Sequence, residues 1–245
     1  MGGVLCAEPV WVEKFTGLRI DRFTKLVKVV RERGGNGPGG GRPRCLPLAG
    51  RVLLVAVCYR TNLTMRQLAP LFGISPATVC RVIQHLRPLL ALEPTHGRRP
   101  HGRRLLPQLP ILGERASVHG GPVRSHRRDT RLVVASARPA PGNRADAPVW
   151  RESDLPAAAA GATVLAGGAH LGTGLIVPHR RRAGRPLLRG QEEDNAEHRR
   201  VRARVQHTFA RMKNWKIFRD CRQKRAGLHP AAQAVATMHD LALER

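Results

Sequence analysis

TMRQLAPLFGISPATVCRVIQHLRPLL, residues Thr64–Leu90, carries the local signals that define the N-terminal half of the chain. Leu68, Ala69 and Phe72 fall at helical spacing and form the apolar face of a first helix. Gly73 supplies the permissive backbone that a tight turn between helices requires, and Ile74 plugs the angle between them. Ser75 is a good N-cap with Pro76 at the first helical position. Val79, Val82, Ile83 and Leu86 then face inwards from a second helix, leaving Ala77, Thr78, Arg81, Gln84 and His85 on its outer side. An ordinary helical hairpin is the competing reading. The small residue, turn glycine, plug isoleucine and cap serine all fall in register, which favours a helix-turn-helix. Such a motif lays the start of its second helix against base edges in the major groove. Ser75, Ala77, Thr78, Arg81 and Gln84 are therefore the expected DNA-binding residues.

Working outward, the composition agrees. The chain has 245 residues and a formal net charge of +26, which points to a polyanionic partner because Lys and Arg release counterions from phosphates. Arginine outnumbers lysine 37 to six beside abundant Gly, Ala and Pro, so GC-rich coding accounts for part of that charge. Cys6, Cys45, Cys58, Cys80 and Cys221 are odd in number and lack C-x-x-C spacing, which argues against a disulfide framework or a zinc site. The most apolar stretch, 161–178, is too broken by Gly and His to span a bilayer. The expectation is a soluble cytoplasmic protein with no membrane partner.

Upstream of the motif, Ile20, Phe23, Leu26, Val27 and Val30 mark a helix after a short entry, and a second is expected over about 47–60 with Val52, Leu53, Val55 and Ala56. GGNGPGGGRPR at 34–44 is a flexible loop. Residues 1–93 thus form a helical DNA-binding domain. Residues 94–128 hold eight Arg and one acidic residue with neither strand nor helix period, and are expected to be disordered. Beyond them, LVVAS (132–136), TVLA (163–166) and LIVP (175–178) read as strands, and about 195–218 and 230–243 as helices.

RQLAPLFGISPATVCRVI, RLVVASARPAPGNRADAPVW (131–150), TVLAGGAHLG (163–172) and VRARVQHTFARMKNW (201–215) together resemble bacterial insertion-sequence transposases of the DDE type, in the branch related to Harbinger elements. The resemblance implies an α + α/β chain: a helical helix-turn-helix domain, then a ribonuclease-H-like α/β domain over 129–245. It implies double-stranded DNA, the element's terminal repeats, as partner; association into a homo-oligomer stays open. Active members carry three carboxylates that hold two divalent ions, Mg²⁺ or Mn²⁺, for attack on phosphate. No Asp-Gly-Thr stands here for the first acid. Gly167 occupies the place of the second, with His170 for the usual Tyr, and Gln206 that of the third. Glycine offers no ligand atom and Gln is a weak neutral ligand, so these read as emptied catalytic positions, with no metal site intact and no cofactor expected. The spacing of Asp129, Asp146 and Asp154 supports none of them as a substitute.

The missing first acid has a further explanation. One synonymous codon choice for Gly102–Ala116, read from its second nucleotide, gives Val-Gly-Ala-Ser-Ser-Arg-Asn-Tyr-Arg-Phe-Ser-Ala-Asn-Val, which resembles the family's segment after its first Asp. The expectation is that 94–128 is a frameshifted segment. The ribonuclease-H-like domain is then incomplete, and the strands at 132–136 and 163–166 lose their partners. Three functions follow: a transposase-family protein that binds DNA without cleaving or transferring strands, an active metal-dependent transposase using rearranged carboxylates, or a decayed product without function.

Overall fold

In a computed structural model, the described residues are 5–37, 44–91, 105–107, 122–123, 133, 135–138, 140, 143–160, 163–220 and 225–243. In chain order they form α1 (Pro9–Thr16), α2 (Ile20–Glu32), α3 (Leu48–Thr61), α4 (Met65–Phe72), α5 (Pro76–Leu89), β1 (Leu105–Pro107), β2 (Pro122–Val123), β3 (Ala135–Ser136), α6 (Asp146–Glu152), α7 (Leu155–Ala158), β4 (Thr163–Leu165), α8 (Arg189–Lys213) and α9 (Arg225–Leu243). Short 3₁₀ turns cover Gly168–His170 and Lys216–Phe218. The chain divides into two compact units, one made of 1–92 with 214–245 and the other of 93–213.

The first unit is helical. α3 is its axis, touching α1, α2, α4, α5 and α9. Its sequence LLVAVCY has no polar face, and every residue from Arg51 to Tyr59 is buried, so the helix expected over about 47–60 is a central one. Burying each Val or Leu of this run contributes roughly 1.5–3 kcal/mol. α1 is an additional helix within the expected entry segment. It starts on Pro9 and stops at Gly17, whose left-handed backbone (φ 72°) returns an N–H to Glu13. α2 buries Phe23, Leu26, Val27 and Val30, as their spacing predicts, and leaves Ile20 exposed.

The last helix belongs to the same unit. α9 begins at Arg225, ahead of the expected start at Pro230, and buries Leu228, Ala231, Val235 and Met238. It packs on α2, α3 and α5. The sequence alone groups this segment with the second domain, because nothing local reveals which apolar face it will meet.

The second unit is described in part. β1 pairs with β4 in parallel, Leu106 opposite Val164, and β2 pairs with β3 antiparallel, Val123 opposite Ala135. Both β1 and β2 fall inside 94–128, the segment expected to be disordered, and they supply the partners that β3 and β4 were expected to lack. The remainder of 94–128 lies outside the described residues. Of the strand expected at 132–136, Ala135–Ser136 is described as strand, and residues 132 and 134 lie outside the described residues. The strand expected at 175–178 is a single bridge, Ile176 to Leu165. Two left-handed glycines, Gly172 and Gly174, precede it and Pro178, which has no N–H, ends it. A small core joins Ala137, Trp150, Leu155, Ala159 and Val164. The long helix expected at 195–218 runs instead from Arg189 to Lys213, because Trp215 turns to an extended conformation before the 3₁₀ turn.

Candidate functional site

The helix pair α4–α5 is fixed at both ends of both helices. Thr64 and Gln67 form a reciprocal capping box: the Gln67 N–H donates to Thr64 Oγ1 (3.3 Å) and the Thr64 N–H to Gln67 Oε1 (2.9 Å). At the far end Gly73 takes φ 64°, and the Gly73 and Ile74 N–H groups return to Pro70 and Ala69, closing a Schellman turn. Ser75 then caps α5, its Oγ accepting from the Thr78 N–H at 3.2 Å. Two carbonyls at the end of α5, Leu89 and Ala91, accept from Arg33 Nη1, and that of Leu90 accepts from the Thr237 hydroxyl. Neither Arg33 nor Thr237 carries a local signal for this role, since both act across the fold.

The predicted interface residues are brought together. Ser75, Ala77, Arg81 and Gln84 are exposed along one side of α5 and Thr78 is half-buried among them. Val79, Val82, Ile83 and Leu86 are buried on the other side. His85, expected on the outer face, instead turns inward, its Nε2 lying 3.2 Å from the Gly35 carbonyl. Gly35 has no room for a side chain there: a Cβ would stand 2.7 Å from the Val30 carbonyl oxygen. That same Gly35 carbonyl accepts from Arg51, so the loop after α2 is tied to both α3 and α5.

In the second unit Gly167 follows β4 and opens the 3₁₀ turn. A Cβ on Gly167 would stand 3.3 Å from both Nη atoms of Arg202, on α8. Arg202 lies one helical turn before Gln206, and that four-residue spacing is the signal that could have placed it. Gln206 is on α8, but its side chain lies outside the described residues. Arg180 Nη2 donates to the Gly168 carbonyl at 2.9 Å, and Arg151 Nη2 to that of Gly172 at 3.1 Å. Three guanidinium groups thus surround the loop 167–172.

Beside them Arg202, Arg199, His198 and Asn195 line an open cavity of about 480 Å³. Asn195 is buried and holds residue 179 by two bonds, accepting the His179 N–H (2.8 Å) and donating to its carbonyl (3.0 Å). His198 is buried with its Nε2 3.0 Å from the Ala166 carbonyl, which makes that nitrogen the protonated one. Burial first, and then the nearby Arg202 charge, hold its imidazole below the usual range against two backbone hydrogen bonds that favour the charged form. Asp146 comes close to this loop, its Oδ2 3.7 Å from His170 Nε2, a proximity that sequence spacing did not reveal. Asp154, at the start of α7, forms part of a separate cavity with Arg144 and Glu152, while Asp129 lies outside the described residues. Among the described residues no three His, Cys, Asp or Glu stand close enough to hold a metal ion. No helix among them is long and apolar enough to cross a membrane.

Residues 44–95 match the family described as the helix-turn-helix of DDE superfamily endonuclease, and residues 128–240 that described as DDE superfamily endonuclease. The chain belongs to the insertion-sequence transposases of the DDE superfamily. It is 46% identical over 255 residues to a putative transposase for insertion sequence element IS112 from Streptomyces albus G, and the match covers 99% of each chain. No solved structure gives a significant match.

Proposed function

We propose that this transposase binds double-stranded DNA at the terminal repeats of its element through Thr64–Leu90, and that it neither cuts nor joins strands. The observation that carries the reading is the outer side of α5, where Ala77, Arg81 and Gln84 are exposed on a helix held by Ser75 at one end and Arg33 at the other. A net charge of +26 favours the same polyanion.

The loss of chemistry rests on Gly167 and Gln206. In active members of the family two divalent ions held by carboxylates activate the nucleophile and stabilise the leaving oxygen. Here the Gly167 position offers no side-chain carboxylate, and the nearest side-chain charge beside it is the Arg202 guanidinium. A cation already lying against the loop does not fit a second, divalent one. What remains is a basic surface for holding DNA, within a domain read as an incomplete ribonuclease-H-like fold.

The test uses the full chain, because α9 and the Trp215–Phe218 segment complete the helical core. A labelled terminal-repeat duplex is expected to shift with a steep salt dependence, and to stay intact in Mg²⁺ or Mn²⁺. Nicking under those conditions overturns the inactive reading, and failure to retain any duplex overturns DNA binding. The second reading, rearranged acids, is favoured by Asp146 standing near His170; it requires that Asp146→Asn abolish any metal-dependent nicking.

The frameshift at 94–128 is part of the same proposal. Its test is the gene's nucleotide sequence beside that of the IS112 relative. Family-like text in an alternative frame supports it, and in-frame agreement between the two across 94–128 overturns it.

A further inference from the structure

Ser75, Thr78 and Arg81 form one hydrogen-bonded chain on the outside of α5. Arg81 Nη2 donates to Thr78 Oγ1 at 3.2 Å, and Arg81 Nε lies 3.4 Å from the Ala77 carbonyl. Thr78 Oγ1 is in turn 3.0 Å from Ser75 Oγ, which already accepts the Thr78 N–H. The direction of the Arg81 bond is set by its donor. A guanidinium cannot accept, so Thr78 Oγ1 accepts from Arg81, while in the Ser75–Thr78 pair either hydroxyl can be the donor. The guanidinium is drawn back along the helix towards its N-terminal turn, the part of a recognition helix that meets base edges.

Two consequences follow. Arg81 has five N–H donors and spends two within the helix, leaving three for a ligand, which is enough for a two-pronged contact. Its fork is also pre-oriented, so less rotamer freedom is lost on binding than for a free arginine. Ala77, one turn earlier on the same face, adds no bulk that would hold a base pair away. Ser75 and Thr78, in contrast, have their oxygens committed to the cap and to Arg81.

We infer that Arg81 is the specificity-determining residue of the interface and reads a guanine through its O6 and N7 atoms, while Ser75 and Thr78 are positioning residues that aim it. The assignment rests on the DNA-binding reading above. It separates residues that the sequence treats as equivalent candidates, and it names the base.

The experiment selects duplexes from a randomised pool with the full chain at one salt concentration, then measures the affinity of each variant for selected and unselected duplexes across several. The wild type is expected to enrich guanine at one position of each bound site by on the order of 5- to 150-fold. Arg81→Ala erases that preference and leaves the other positions unchanged, and Arg81→Lys does not restore it, because an ammonium lacks the fork. Thr78→Val, close in shape to the native residue, weakens preference at that same position only, and Thr78→Ser restores it. This position-specific effect is one that a merely stabilising role for Thr78 would not produce. Uniform weakening by Arg81→Ala across all sequences, with a salt slope shallower by about one, would make Arg81 a phosphate contact and overturn the inference. A wild-type chain that retains no duplex overturns DNA binding as well. Retention with guanine preference surviving Arg81→Ala overturns the base assignment alone.

Discussion

The Gly35 carbonyl accepts a 2.8 Å hydrogen bond from Nη1 of Arg51, a guanidinium buried inside the helical unit. A second bond runs from Arg51 Nη2 to Asn36 Oδ1 at 3.2 Å. Burial and the charge of Arg44 both disfavour the cation, yet arginine keeps its proton, so the loop supplies the oxygens that offset its desolvation. With His85 on the same carbonyl, one peptide group couples the loop to the scaffold helix α3 and to α5. The orientation of the proposed recognition helix therefore depends on a glycine fifty residues away from it.

Gly35→Ala is expected to lower stability by about 1–3 kcal/mol, because its Cβ would meet backbone at Val30, which cannot yield as a flexible side chain can. Gly50→Ala is the contrasting case. Its Cβ would lie 3.8 Å from Pro47, an ordinary contact, within helical backbone, so a gain of about 0.4–1 kcal/mol is expected from the stiffer unfolded chain. Urea melts of the two variants read both effects; an unperturbed Gly35→Ala midpoint would remove the steric argument.

Trp215 is buried, and the Arg60 guanidinium stands 5.2 Å from its ring centroid. Trp215→Ala is expected to cost about 3–5 kcal/mol, most of it from lost packing. Arg60→Ala removes the cation–π contact together with the packing of a half-buried stem and is expected to cost about 0.5–2 kcal/mol. A 1–93 fragment, which lacks Trp215, Phe218 and α9, is expected to bind a hydrophobic dye. A fragment that melts like the full chain without binding dye would show the C-terminal segment to be dispensable.

These long-range contacts mark where sequence reasoning stops. The motif at 64–90 was legible because each of its rules acts within four residues: a turn glycine, a serine cap, and apolar residues at helical spacing. Arg33 reaching Leu89, Thr237 reaching Leu90 and Trp215 under Arg60 obey no such local rule. β1 was illegible for another reason: Leu105–Pro107 sits in Arg- and Pro-rich text with no period, and its pairing with β4 is set by tertiary context. At Gly167 the sequence shows a glycine, but not the Arg202 guanidinium that lies beside it.

His198 provides the pH dependence. Its folded pKa lies below the usual 6.5, so under mild acid the unfolded chain binds a proton that the folded chain refuses. Stability is therefore full above about pH 6.5 and falls as the pH drops from there towards the folded value. His198→Gln keeps a donor for the Ala166 carbonyl and removes the titration. Urea midpoints between pH 8 and 5 are expected to decline less steeply in that variant than in the wild type. Parallel slopes would assign the decline to other groups.

Gly167→Asp places an acid where the proposal above reads an emptied catalytic position, and it tests what lies beside that position. Gly167 has extended backbone (φ −79°, ψ 168°) at the start of the 3₁₀ turn, so an Asp fits there without strain and suits a capping position. The atoms nearest its Cβ belong to the flexible end of Arg202, which can shift by a few tenths of an ångström. The new carboxylate is expected to pair with that guanidinium, adding about 0–1 kcal/mol to stability. A carboxylate so engaged has less attraction for a divalent ion. The melting temperature of Gly167→Asp is accordingly expected to be insensitive to Mg²⁺, and a terminal-repeat duplex to stay intact. Adding Arg202→Ala frees the carboxylate and separates the two effects: Mg²⁺-dependent stabilisation only in the double variant identifies Arg202 as the group that excludes the metal. Mg²⁺-dependent stabilisation or nicking already in Gly167→Asp would show instead that the site lacked a single acid and that Arg202 does not block it.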